Sequence, residues 1–113
     1  MSILGTPEKD ELMEWLVGQA HLQRLVTYSE AAKIYKTSPG SYEMWNALGE
    51  ISRYSENEWG FLLSSIVVNK TDGFPGSSYF KLAEELGRSV NDKLEFWARE
   101  VRRTFEGVGA KDD

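Results

Sequence analysis

The sequence predicts an α+β, mainly helical domain: about five helices with a small sheet of two or three strands. Three observations carry this. Apolar residues recur at helical spacing in successive stretches, several of them opened by capping residues or closed by glycine. One β-branched run, Ile66-Val67-Val68, stands apart from them. Between Val26 and Gly76 a capped helix, a second helix, a strand and a glycine turn follow in that order, like a helix-turn-helix with a strand behind it.

Thr6-Pro7 with Glu8, Asp10 and Glu11 opens the first helix: a capping hydroxyl, proline where no N–H is needed, and acids against the dipole. Leu12, Trp15, Leu16 and Ala20 share one face, and the helix is expected to end near Arg24. Thr27-Tyr28-Ser29-Glu30 fits a capping box for a second helix through Tyr35, facing inward with Ala31 and Ile34. Thr37-Ser38-Pro39-Gly40-Ser41 breaks it. A third helix carries Met44, Leu48 and Ile51 inward and ends near Tyr54 or Asn57. Phe61 to Asn69 reads as the strand; its backbone needs a partner, expected as a return strand or wing from the Gly73–Gly76 turn. Tyr79, Leu82, Ala83 and Leu86 form the fourth stripe, stopped by Gly87. Leu94, Trp97, Ala98, Val101 and Phe105 form the fifth, stopped by Gly107. Residues 1–106 are thus expected as a single domain and 107–113 as a flexible tail.

With 113 residues the chain supports one modest core. Its net charge is −5, and no third of it is basic: residues 1–24 carry −2, 25–69 carry −2 and 70–113 carry −1. That argues against strong non-specific attraction to phosphate backbones. There is no cysteine, hence no disulfide framework or thiolate metal site. No apolar run approaches the roughly 20 residues that cross a bilayer, and the first five residues have no signal-like pattern. The expectation is a cytoplasmic protein away from membranes.

Chemistry-bearing candidates are few. Ser64 and Ser65 are adjacent hydroxyls, but the one histidine, His21, lies on another helix, so no triad is implied. No loop has the Asp/Asn/Gly spacing of a cation site, and Asp72-Gly73-Phe74-Pro75-Gly76 lacks the lysine and glycine spacing of a phosphate loop. No catalytic residue, metal or small-molecule cofactor is expected. The third helix offers Tyr42, Glu43, Asn46, Glu50 and Arg53 on its outer face. Asn46 and Arg53 suit base edges, whereas Glu43 and Glu50 repel phosphates. Phe74 at the turn and Trp45 are further candidate contacts; Tyr54, Trp59 and Phe61 suit an interaction surface too, although core or partial burial is the expected fate of most of these aromatics. Arg99, Arg102 and Arg103 with Lys93 form the best basic cluster; Glu95 four residues before Arg99 gives it a structural explanation.

Val26-Thr27-Tyr28 with Ala32, then Ala47-Leu48-Gly49, Val67-Val68, and Gly73, Gly76 and Tyr79 make up a recognisable order. In this, residues 25–87 resemble the C-terminal winged-helix-like DNA-binding domain of O6-alkylguanine-DNA alkyltransferases and alkyltransferase-like proteins. The resemblance implies a winged-helix-like scaffold in which Tyr28 matches a residue the family uses on DNA. The family's reactive cysteine falls at Ser64, its histidine at Ser65 and its following arginine at Ile66. Its duplex-opening arginine falls at Asn46 or Trp45. Alkyl transfer needs a soft thiolate, so the expectation is a non-enzymatic binding module contacting DNA. Tyr28, Tyr42, Trp45, Asn46, Arg53 and Phe74 are its expected contacts. The alternative is an acidic protein-interaction factor on the same scaffold, an inhibitor or adaptor of phage or host-defence type.

Overall fold

The computed structural model describes residues 2–111, with side chains through residue 109. Five helices and a two-stranded sheet follow in the order α1 (Pro7–His21), β1 (Val26–Thr27), α2 (Tyr28–Tyr35), α3 (Tyr42–Trp59), β2 (Val67–Val68), α4 (Ser77–Glu85) and α5 (Lys93–Lys111). The N-caps read from sequence, Thr6 and Thr27, are in place, and Ser41 adds a third at α3. Thr6 Oγ1 accepts the Lys9 N–H, and Ser41 Oγ accepts that of Met44. Thr27 and Glu30 form a reciprocal capping box, which sets the start of α2. Gly60, at φ 81°, closes α3 in the left-handed conformation that glycine adopts without steric cost.

Two apolar clusters fill the interior. The first joins α1, α2 and α3 through Leu12, Leu16, Ala31, Met44 and Ile51, and receives Phe61, Ile66 and Val67 from the following segment. The second gathers Leu62, Tyr79, Phe80, Ala83 and Phe96 between α4 and α5. Residues 61–68 are wholly buried and contribute to both clusters.

That buried segment is where the fold departs most from expectation. Only Val67–Val68 is strand; Leu63–Ile66 is one turn of 3-10 helix. Side chains, not a ladder, satisfy the preceding backbone. Leu62 N–H donates to Glu100 Oε1 at 2.9 Å, Leu63 N–H to Ser55 Oγ at 2.9 Å and Ser64 N–H to Ser52 Oγ at 3.0 Å. With those donors occupied, the run has no need of a strand partner before Val67. The partner of β2 is also not a wing. Val67 and Val68 pair in parallel with Val26 and Thr27, from upstream of α2. The Gly73–Gly76 turn closes on itself through Gly73 N–H to Asn69 O and Asn69 N–H to Phe74 O, both 2.9 Å.

The helix ends differ as well. α1 stops at His21, and Gln23 at φ 56° turns the chain toward β1. α3 runs two residues past Asn57. α5 continues through Gly107 to Lys111, so Gly107 is not a helix stop and the helix occupies most of the expected tail. Its buried face carries Phe96, Glu100, Thr104 and Val108, whereas Leu94 is 61 % exposed and Ala98 is exposed. The apolar stripe read from sequence was therefore rotated, because Glu100 and Thr104 are polar by type yet fully buried. Thr104 Oγ1 donates to Glu100 O at 2.8 Å and to Leu62 O at 3.3 Å, so its hydroxyl is satisfied.

Candidate functional site

One face of α3, the N-terminal residue of α2, the buried 3-10 turn and the start of α4 enclose a groove of about 630 Å³. Each wall has a local cause. Ser41 starts α3 beside the Pro39-Gly40 break, so Tyr42, Trp45, Asn46, Gly49 and Arg53 fall on one side at helical spacing and line the groove together. The opposite side of α3 buries Ala47, Ile51, Ser52 and Ser55. Tyr28 enters from the α2 start, and Ser64, Asn69 and Tyr79 complete the inner wall.

Tyr42 and Trp45 stand at the mouth. They are 69 % and 49 % exposed, and their ring centroids lie 5.7 Å apart at 38°. Arg53 and Glu50 are the charged residues of the lining. Lys9 Nζ holds Glu50 at 2.7 Å, and that hydrogen bond raises the ammonium pKa above its ordinary value. Arg53 Nη2 donates to Glu85 Oε2 at 3.0 Å.

Tyr28 serves the fold as well as the groove. Its hydroxyl oxygen accepts the Gly76 N–H at 3.0 Å, tying the turn before α4 to α2. Burial pushes its pKa upward, outweighing the opposite effect of the Gly76 N–H, so the phenol stays protonated and keeps an O–H to donate. Tyr28→Phe is expected to destabilise the domain by about 1 kcal/mol by leaving the Gly76 N–H without an acceptor. A thermal melt and faster amide exchange at Gly76 check this; unchanged values would make the bond incidental.

The adjacent serines Ser64 and Ser65 sit in hydroxyl pairs. Ser52 Oγ donates to Ser64 Oγ at 2.6 Å, and Ser65 Oγ lies 2.5 Å from the Tyr79 hydroxyl. Burial raises the Tyr79 pKa, so that phenol is no base for Ser65. No histidine lines the groove. A serine without a base remains a weak nucleophile.

Five of the six residues singled out from sequence line this groove: Tyr28, Tyr42, Trp45, Asn46 and Arg53. Phe74 does not. It packs in the second cluster, with centroids 5.5 Å from Phe80 and 5.3 Å from Trp97, because the turn folds back over α4 and α5. Phe61 is buried in the first cluster, and Tyr54 and Trp59 are partly buried against it, in a row with the Phe61 ring. The basic cluster of α5 is partly engaged: Arg99 pairs with Glu95, and Arg103 donates to Gly60 O. Sequence reasoning passed over Asn69 and Ser78 as lining residues. Asn69 enters through the Asn69–Phe74 turn and Ser78 through the start of α4, and nothing local in the sequence says that either faces α3.

Among the described residues no cluster of three His, Asp or Glu is placed to hold a metal ion. No helix there is long and apolar enough to cross a membrane. Comparison with protein-family models, curated protein sequences and solved structures finds no match to this chain.

Proposed function

We propose that this domain is a non-enzymatic binding module that keeps the helix-turn-helix-like α2–α3 pair, without a wing, and contacts DNA through the α3 groove. The observation that carries the reading is the exposed Tyr42–Trp45 pair at the mouth of a groove that also presents Asn46, Arg53 and the Tyr28 hydroxyl. Aromatic faces stack on unpaired bases, while Asn and Arg supply hydrogen bonds to base edges and phosphates. The acidic total favours a ligand gripped by stacking over one gripped by many phosphate contacts.

A salt-dependent titration with labelled single-stranded and duplex DNA tests it. Binding at low salt that weakens as salt rises is expected, with a shallow slope because few cations face the groove. Trp45→Ala and Tyr42→Ala are each expected to lose about ten-fold in affinity, since stacking contributes roughly 1–3 kcal/mol per base. Both side chains are exposed, so the fold should be unaffected. Absence of binding at low salt overturns the reading.

A second reading, an acidic protein-interaction factor, is favoured by the pairing of Arg53 with Glu85 and the exposure of Glu43 on the same helix. Exposed Tyr and Trp also serve as anchors at protein interfaces. Co-purification of a defined protein, lost on Trp45→Ala, supports this reading.

A further inference from the structure

We propose that Glu85, which does not line the groove but pairs with its Arg53, is a specificity-determining residue, an internal stand-in for a phosphate that a ligand must displace to engage that guanidinium. The inference rests on the DNA reading above and adds to it the carboxylate that sets how readily an anion is admitted. Arg53 is the one cation lining the groove among the described residues. Its guanidinium meets the Glu85 carboxylate at 3.0 Å, bridging from α3 to the last residue of α4. A guanidinium donates to carboxylate and phosphate oxygens through the same N–H groups, so the two compete for one site.

The exchange is inexpensive. The two side chains are 55 % and 57 % exposed, so water screens the pair and little stability depends on it. Glu85 also stands in the last turn of α4 beside Glu84, with no basic residue in that turn. A carboxylate there opposes the helix dipole, so helix stability gives no reason for it, whereas its reach to Arg53 does. By contrast, Glu50 is held by Lys9 from outside the groove and leaves Arg53 alone. A phosphate flanking a base stacked on Tyr42 and Trp45 gains both contacts at once and replaces Glu85; a lone weak anion gains only one.

The test is a binding titration at low salt of a fluorescently labelled single-stranded oligonucleotide against four chains: wild type, Glu85→Gln, Arg53→Ala and the double variant. Glu85→Gln is expected to tighten binding roughly two- to ten-fold, and Arg53→Ala to weaken it. In the Arg53→Ala background, Glu85→Gln is expected to have almost no effect. Equal gains in both backgrounds would make the effect one of net charge and overturn the proposal. Wild-type binding unchanged by Glu85→Gln would overturn it while leaving the DNA reading intact. A lowered melting midpoint with unchanged affinity would make Glu85 a strut between α3 and α4, which also overturns it. Failure of all four chains to bind overturns both readings.

Discussion

Gly107→Ala is expected to destabilise the domain by about 1–3 kcal/mol, the usual cost of forcing one extra carbon into a filled core. A Cβ at residue 107 would lie 2.5 Å and 2.6 Å from two ring carbons of Phe61. The ring has little room to retreat: Phe61 is 2 % exposed and Trp59 lies against it at a centroid distance of 5.7 Å. Gly109 supplies the control, because a Cβ there meets nothing within 4 Å. Gly109→Ala should leave stability unchanged or raise it by up to about 1 kcal/mol, through better helix propensity. Urea unfolding of both variants gives the comparison. Phe61→Leu, which shortens the obstructing side chain, should make Gly107→Ala cost less than it does in the wild-type background. A glycine that merely stopped a helix would show no such coupling.

Glu100→Ala is expected to cost more, about 3–5 kcal/mol, the range for removing one partner of a buried ion pair. Glu100 is 1 % exposed and lies at the centre of a network joining three parts of the chain. One carboxylate oxygen accepts the Leu62 N–H at 2.9 Å, and the other accepts from Arg88, which also pairs with Glu56 on α3. Arg103 approaches the same oxygen at 3.8 Å. Removing the carboxylate strands a buried N–H and half the compensation of a guanidinium that is itself largely buried. Domains of this size are stable by about 5–15 kcal/mol, so the variant should sit close to unfolding at room temperature. Glu100→Gln keeps an acceptor for Leu62 and loses only the charge, so it should cost less than the alanine. A urea midpoint for Glu100→Ala near the wild-type value would show that the network contributes little.

The groove was more legible in the sequence than its surroundings were. Tyr42, Asn46 and Arg53 were readable as one face because helical spacing is a local rule, whereas Trp45 was a candidate contact without a place on that face. Tyr28 was singled out only through the family resemblance; the Thr27–Glu30 capping box fixes its place at the first residue of α2. Phe74 was misjudged for a non-local reason: nothing near it in sequence says that Phe80 and Trp97 will enclose it. Glu85 was likewise invisible as a partner of Arg53, which is 32 residues away.

The sequence by itself determined the five helices, the N-caps of α1 and α2, the glycine stop after α4 and the side of α3 that faces outward. Those follow from backbone donors that need nearby acceptors and from apolar spacing along one segment. Tertiary structure decided the rest. It made a 3-10 turn of residues that read as strand, because serines of α3 and Glu100 of α5 took up their N–H groups. It paired β2 with a strand from before α2, and it turned the polar Glu100 and Thr104 inward on α5. In each case the deciding partner belongs to another part of the chain; for the N–H groups it lies from 8 residues away for Leu63 and Ser55 to 38 for Leu62 and Glu100. A hydrogen-bond requirement is written locally while the group that meets it is not.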